Sequence, residues 1–105
     1  MNYKEIQPNE LQEIISNQSK DDYVLLDVRT PEEYETERIP NAVLMNFYEP
    51  DFRDKVSELE KDKTYYVICR SGNRSGKACQ MMIEMGFRDP HNMVGGMMAW
   101  QGDVE

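Results

Sequence analysis

Apolar residues are arranged in two ways along this chain. Residues 23–28 and 64–68 are short, nearly continuous apolar runs rich in branched and aromatic side chains, which is typical of strands covered on both faces. In residues 8–15 and 75–85 the apolar positions instead recur every three or four residues, which predicts helices, and Gly86 ends the second one. Strands buried on both faces occur mainly in parallel sheets, so we predict an α/β fold.

Shorter elements fill the rest of the chain, starting with a strand that includes Ile6. Weaker strands are predicted at residues 43–45 and 92–94, and shorter helical segments at residues 52–59 and 97–100. A further helix is predicted to start after Thr30, because Pro31 suits a first turn and Glu33 completes a capping box with Thr30. Strands and helices therefore alternate, which favours a single domain over residues 1–105 with helices on both sides of a parallel sheet.

The charge and cysteine content narrow the possible functions. The chain has 105 residues, a net charge of −8 and a pI near 4.6, which disfavours nucleic acids and anionic membranes as partners. No stretch approaches the ~18 consecutive apolar residues of a membrane span, and residues 1–5 do not begin a secretory signal, so we expect a cytoplasmic protein. The two cysteines, Cys69 and Cys79, are too few for a disulfide framework, which directs attention to thiol chemistry.

One of these cysteines opens the segment that we call the cysteine loop, residues 69–75, which reads Cys-Arg-Ser-Gly-Asn-Arg-Ser. It joins the strongest predicted strand to the strongest predicted helix, and in open α/β sheets the carboxyl end of a strand is where sites are built. The small residues at its centre allow the backbone to curl and to direct successive N–H groups at an anion. The loop therefore predicts a site for a negatively charged sulfur, with Cys69 as the nucleophile.

The charges around the cysteine loop support this prediction. Residues 63–83 contain four basic residues and no acidic one, although the chain as a whole is strongly acidic. Beside arginines and a helix start, the pKa of a thiol falls from its ordinary ~8.5 to roughly 3.5–7.5, so the thiolate predominates at neutral pH. We therefore expect an anionic substrate. The candidate substrate-binding residues are Arg70, Ser71, Gly72, Asn73, Arg74 and Ser75.

Other candidate groups receive structural interpretations. A single cysteine is most often a buried, inert thiol, and we adopt that interpretation for Cys79, which lies on the apolar side of its predicted helix beside Ala78. His91 is the only histidine, and no second histidine or cysteine pair stands at ligand spacing, so we predict neither a metal site nor a cofactor. The inert alternative also stays open for Cys69, but a structural loop has no need of two arginines and a glycine so close to a thiol.

Four motifs resemble those of the rhodanese-like domain family. They are Asp-Val-Arg at 27–29 followed by Pro-Glu-Glu-Tyr at 31–34, Ile-Pro-Asn-Ala at 39–42, the cysteine loop, and the segment 95–100 from Gly-Gly to Ala-Trp. The resemblance extends from about Ile6 to Trp100 and implies a three-layer α/β domain with a central parallel five-stranded sheet and helices on both faces. In the second motif, where family members commonly carry Gly-His-Ile-Pro-Gly-Ala, this chain has Glu37 and Arg38 before the Ile-Pro pair and Asn41 after it.

The same resemblance implies a thiosulfate or persulfide sulfurtransferase. The thiolate of Cys69 would take the outer sulfur of thiosulfate or of a small persulfide, hold it as a Cys-S-SH persulfide, and pass it to a thiol or to cyanide. Arg70 and Arg74 would bind the oxyanion of the donor, with Arg74 closing the loop. The implied partners are a small anionic sulfur donor and a thiol or dithiol acceptor such as a thioredoxin-like protein, and we expect a monomer.

Three residues outside the cysteine loop are second-tier candidates. Asp27 and Arg29 resemble the family's Asp–Arg pair, which we interpret as support for the loops around the site. Arg38 either adds positive charge near the mouth of the pocket or lies in solvent beside Glu35 and Glu37.

Two other functions stay open. Cysteine-based phosphatases and arsenate reductases bind a tetrahedral oxyanion with a similar loop, but their loops place five residues between cysteine and arginine, whereas four separate Cys69 from Arg74. Ile68 also stands where tyrosine phosphatases have a histidine. The other alternative is a persulfide carrier or interaction module with little turnover of its own. Many rhodanese-like interaction modules have lost the cysteine, which this chain keeps.

Overall fold

Five parallel strands form the central sheet of the computed structural model, which describes residues 2–105. The strands are β1 (Lys4–Ile6), β2 (Val24–Asp27), β3 (Val43–Leu44), β4 (Thr64–Ile68) and β5 (Asp89–Met93). Across the sheet they lie in the order β1-β5-β4-β2-β3, and every neighbouring pair is parallel. The predicted parallel α/β fold is therefore confirmed.

Helices connect these strands. Within residues 2–105 they are α1 (Pro8–Asn17), α2 (Pro31–Thr36), α3 (Phe52–Ser57), α4 (Asn73–Glu84) and α5 (Gly96–Ala99), with a short 3-10 turn at Lys20–Asp22. None of the helices in this range has the length and apolarity needed to span a bilayer. The predicted capping box of α2 is confirmed, because Glu33 N–H donates to Thr30 Oγ at 3.3 Å and Thr30 N–H donates to Glu33 Oε1 at 3.1 Å.

Side chains of the central strands alternate between two cores, one on each face of the sheet. On β4, Tyr65 and Val67 pack in one core with residues of α3 and α4, whereas Tyr66 and Ile68 pack in a second core with residues of α1 and α2. Burying a side chain of this size stabilises the fold by about 1.5–3 kcal/mol. Consecutive positions that contribute to both cores must therefore be apolar, which explains the continuous run at residues 65–68 of β4.

Three elements begin earlier than the sequence predicts, α5 by one residue and the other two by more. Helix α4 begins at Asn73 rather than at residue 75, because Gly72 has a φ of +97°, a left-handed conformation that suits glycine and turns the chain into the helix. Strand β5 begins at Asp89 rather than at residue 92, and its first residues are polar or proline, so the apolar pattern does not reveal them. A tertiary contact holds this polar start in place, since Thr64 Oγ donates to the Asp89 carboxylate at 2.8 Å.

Candidate active site

The sheet order brings the ends of three strands together at one edge. Asp27 ends β2, Cys69 directly follows β4, and β5 ends one residue after Asn92. The helix that follows β2 packs in one core and the helix that follows β4 packs in the other, so the chain diverges between these two strands. Such a point of divergence leaves a crevice at the carboxyl edge of a parallel sheet. The cysteine loop occupies this position.

The cysteine loop wraps around the sulfur of Cys69. The backbone N–H of Gly72 donates to Cys69 Sγ at 3.0 Å, and Ser75 Oγ lies 3.2 Å from the same sulfur. Cys69 has an exposed fraction of 0%, and Ser75 is equally buried. The sulfur therefore has polar hydrogen-bond partners on its loop side. Cys69 also belongs to the core that contains Tyr65 and Val67.

These contacts lower the pKa of Cys69. Burial by itself would raise the pKa of the thiol, but hydrogen bonds from the Ser75 side chain and from the backbone N–H groups of Ser75, Gly72 and Ser71 outweigh burial. Because the backbone N–H donors are fixed by the fold, they stabilise an anionic sulfur without having to reorganise. The loop is therefore suited to hold a thiolate or another sulfur anion.

Behind the loop, Asn92 of β5 joins two of its residues. Ser75 Oγ makes a short hydrogen bond to Asn92 Oδ1, and Asn92 Nδ2 donates to the carbonyl oxygen of Gly72 at 3.2 Å. Asn92 is buried, with an exposed fraction of 5%. Sequence reasoning does not identify this residue as part of the site; the available signal is a polar side chain inside a predicted strand.

Arg74 lies in the first turn of α4 and is paired with Glu33 of α2. Its Nη1 donates to Glu33 Oε1 at 2.8 Å and its Nη2 donates to Oε2 at 2.9 Å, which is a bidentate ion pair. The Arg74 side chain also lies over the ring of Tyr48 at 5.5 Å from the centroid. This pair joins the helices on opposite faces of the sheet across the mouth of the crevice.

The ion pair shifts the pKa of both partners. Hydrogen bonds from Arg74, together with those from Thr30, lower the pKa of Glu33 to about 2 against the opposing effect of burial. The same contact raises the pKa of Arg74. Glu33 is predicted from sequence as a capping residue but not as the partner of the loop arginine, which is 41 positions away.

The exposed side of the loop borders a groove of about 320 Å³. Its lining consists of Arg29, Glu33, Thr36, Glu37, Arg70, Met97 and Met98. Arg70 is exposed, as are Ser71 and Asn73 of the same loop. Met98 is 71% exposed and gives the groove an apolar wall. Cys69 is not part of the lining, so the groove leads to the loop but not to the sulfur itself.

Asp27 and Arg29 form a buried ion pair that supports this edge. Arg29 Nη2 donates to Asp27 Oδ2 at 2.8 Å, and the two side chains are 5% and 1% exposed. The same guanidinium donates to the backbone oxygens of Glu33 at 3.3 Å and Glu37 at 2.7 Å. The pair therefore fixes α2, and with it Glu33, relative to the end of β2.

Helix α5 holds the loop from the other side through backbone contacts. Met97 N–H donates to the Cys69 oxygen at 2.9 Å, and Met98 N–H donates to the Arg70 oxygen at 3.0 Å. Gly96, with a φ of +59°, lies so close to the loop that a Cβ atom would overlap the backbone of Arg70 and Cys69. Only glycine allows this approach.

Three other residues considered in the sequence are not hydrogen-bond partners of the Cys69 sulfur. Arg38 binds Glu105 at 3.2 Å and does not line the groove. Cys79 is fully buried in the core, as predicted, and burial together with the charge of Cys69 raises its pKa to about 12. His91 contacts Asp89 at 2.9 Å near the amino end of β5, away from the loop.

Comparisons with known proteins agree with this geometry. The "Rhodanese-like domain" family matches residues 7–103. The chain is 41% identical over 105 residues to the "Putative sulfurtransferase YtwF" of Bacillus subtilis, covering 100% of this chain and 97% of that one. It is 31% identical over 101 residues to the thiosulfate sulfurtransferase GlpE of Coxiella burnetii, covering 96% and 90% of the two chains.

A solved structure extends the likeness to the fold. The crystal structure of a rhodanese-like domain protein from Staphylococcus aureus superposes with a TM-score of 0.84 at 32% identity, covering 97% of this chain and 96% of that one. The family match spans residues 69–75 of the cysteine loop, and the relatives and the solved structure cover nearly the whole chain. The chain therefore belongs to the rhodanese-like domain family.

Proposed function

We propose that this protein is a sulfurtransferase that carries sulfur on Cys69. The observation that supports the proposal most directly is the hydrogen-bonded environment of Cys69 Sγ, in which Gly72 N–H and Ser75 Oγ lie at 3.0 and 3.2 Å and lower the pKa of a fully buried thiol. A buried thiol without such donors, like Cys79, has a raised pKa. The names of the relatives, sulfurtransferase and thiosulfate sulfurtransferase, agree with this chemistry.

The proposed reaction has two balanced steps. The thiolate of Cys69 attacks the outer sulfur of thiosulfate, the new S–S bond forms as the old one breaks, and sulfite leaves with the bonding electron pair. The enzyme then holds a Cys-S-S⁻ persulfide anion. In the second step a thiolate or cyanide attacks the terminal sulfur, and the Cys69 thiolate is released as the leaving group.

The two arginines of the loop receive different roles in this proposal. Arg70 is exposed beside the groove and has no ionic partner within residues 2–105, so we assign to it the first contact with the donor anion. Arg74 is already paired with Glu33 through one N–H of each terminal nitrogen, so a carboxylate balances its charge before a donor anion arrives. Its proposed role is to hold the loop closed, with donor binding as a second step.

Burial of Cys69 favours one alternative, a persulfide carrier with little turnover. Since Cys69 has no exposed surface, a donor reaches Sγ only after the groups that cover it have moved. The same burial would shield a bound persulfide from water until a thiol or dithiol acceptor engages the apolar side of the groove at Met97 and Met98. The rate of transfer, compared with the extent of loading, separates the two functions.

The test is to incubate the protein with thiosulfate and measure its intact mass. We expect one added sulfur, about 32 Da, on Cys69, and its loss after treatment with dithiothreitol. Cys69→Ala should take up no sulfur, whereas the matched control Cys79→Ala should load normally. An unchanged mass in the unmodified protein, or sulfur on Cys79 alone, would refute the proposal. Rapid loading with slow transfer to cyanide and dithiols would identify the carrier.

A further inference from the structure

The hydroxyl of Ser75 lies between two hydrogen-bond acceptors. Its oxygen is 3.2 Å from Cys69 Sγ on one side and makes a short contact with Asn92 Oδ1 on the other. A serine hydroxyl has only one proton to donate. When Cys69 is a thiol, its S–H donates to Ser75 Oγ and the Ser75 O–H donates to Asn92, so every group is satisfied. When Cys69 is a thiolate, both neighbours of Ser75 are acceptors.

The orientation of Asn92 makes its side-chain oxygen compete with the Cys69 thiolate for the Ser75 O–H. Asn92 Nδ2 donates to the Gly72 oxygen at 3.2 Å, and the reverse orientation of the amide would place two carbonyl oxygens against each other. Oδ1 must therefore face Ser75. Asn92 is 5% exposed, and across residues 2–105 its Oδ1 has no hydrogen-bond donor besides Ser75. If this buried carbonyl lost its one donor, the protein would be destabilised by a free energy comparable to that of the hydrogen bond.

We propose that Asn92 is a positioning residue that competes with the Cys69 sulfur for the Ser75 proton and so limits how strongly the loop stabilises the thiolate. The inference rests on the proposed role of Cys69 as the nucleophile and deepens it. Its functional consequence is twofold. A less stabilised thiolate is a better nucleophile. In the persulfide, Sγ is bonded to a second sulfur and most of the negative charge lies on that outer atom. The Ser75 O–H then donates its hydrogen bond to Asn92 Oδ1 again.

Other charged or titratable groups around the sulfur remain the same in all the variants used to test this. Helix α4 contributes Arg74 and Cys79, whose pKa values both respond to the charge of Cys69. The loop contributes Arg70, and the neighbouring strand β2 ends at Asp27, which is paired with Arg29. On β5, the His91 ring contacts Asp89. Their effects cancel when variants of Ser75 and Asn92 are compared.

The experiment is to titrate Cys69 in four proteins: unmodified, Ser75→Ala, Asn92→Leu and the double variant. The readouts are the ultraviolet absorbance of the thiolate and the rate of iodoacetamide alkylation from about pH 4 to 9, where Cys79, with a pKa of about 12, stays protonated. Ser75→Ala should raise the Cys69 pKa by about one unit, because a hydrogen bond to the anion is lost. Asn92→Leu should lower it by roughly half a unit, since Ser75 is then free to donate to sulfur. The double variant should match Ser75→Ala.

A purely structural role of Asn92 predicts a different result. Loss of the bond to Gly72 would loosen the loop, so Asn92→Leu would raise the pKa as Ser75→Ala does, and that outcome overturns the proposal. A Cys69 pKa that is lower in the double variant than in Ser75→Ala would also overturn the proposal. If Asn92→Leu does not fold, Asn92→Asp replaces it in the same test. We expect Asn92→Asp to raise the Cys69 pKa by more in a protein that keeps Ser75 than in the Ser75→Ala variant. Equal shifts of the Cys69 pKa in the two proteins would refute the inference.

The titration needs no sulfur donor, so it is independent of the proposed function. A protein that follows the predicted pattern but gains no mass from thiosulfate would retain the inference and lose the function. If the protein loads sulfur but the Cys69 pKa is the same in all four forms, the proposed function stands and the inference about Asn92 fails.

Discussion

The ion pair between Glu33 and Arg74 makes a quantitative prediction about stability. Replacing Glu33 by Gln keeps the shape of the side chain and an oxygen for the Thr30 cap, but it removes the charge that Arg74 binds. The pKa of Glu33 is about 2, against an ordinary 4.5, and this gap corresponds to about 3 kcal/mol. Because 28% of the Glu33 side chain is exposed, water screens part of the interaction, and we expect Glu33→Gln to cost about 1–2 kcal/mol at neutral pH.

The sign of the pH dependence follows from the direction of the shift. Glu33 has a lower pKa in the folded protein than in the unfolded chain, so its contribution to stability is fully present above about pH 4.5 and is lost as the pH falls toward 2. The difference in unfolding free energy between the unmodified protein and Glu33→Gln should therefore shrink over this range. Urea unfolding of both proteins at several pH values measures it.

Glu32→Gln is the matched control, because Glu32 lies in the same first turn of α2 but is exposed. Its substitution should cost a few tenths of a kcal/mol, the usual effect of an acid near a helix start. If Glu33→Gln cost no more than this control, or if its cost were the same at pH 7 and near pH 2.5, the ion pair would not stabilise the fold as we describe.

Three further predictions concern the supports of the loop and the reactivity of the thiols. Gly96→Ala should destabilise the protein by roughly 1–3 kcal/mol and raise the Cys69 pKa, because its Cβ would push against the loop backbone. Gly86→Ala, also at positive φ but with only the Lys61 side chain in ordinary contact at 3.9 Å, should leave the Cys69 pKa unchanged. Arg29→Ala should cost about 3–5 kcal/mol in urea unfolding, since it leaves Asp27 buried without its partner, and a cost below 1 kcal/mol would contradict that reasoning. Iodoacetamide at neutral pH should label Cys69 and leave Cys79 unmodified in peptide mapping, because the pKa of Cys79 is about 12; equal labelling would show that the core opens readily.

Local patterns in the sequence predict much of the fold and the centre of the site. The apolar run of β4 lies at residues 65–68 because each of these positions faces one of two cores, and the cap of α2 follows from the chemistry of Thr30 and Glu33. The cysteine loop is recognisable because its activating groups are consecutive in the chain. Each of these features depends on residues a few positions apart.

The partners that the sequence does not reveal are contacts between distant segments. Glu33 and Arg74 are 41 positions apart, and Ser75 and Asn92 are 17 apart. Hydrophobic periodicity reports which side of an element is buried, but it carries no information on which polar groups meet. The early start of β5 is missed for the same reason, since Asp89 is held by Thr64 rather than by an apolar pattern of its own.

The backbone contacts of α5 with Cys69 and Arg70 also bear on how the protein is made. The groups that complete the surroundings of the sulfur, Asn92 and the Gly96 turn, come more than twenty positions after Cys69 in the chain. A ribosome therefore releases the thiol long before it releases the segments that position the loop. Until β5 and α5 emerge and dock, the nascent cysteine has the reactivity of an ordinary thiol, so activation of the sulfur waits for segments that are synthesised after it.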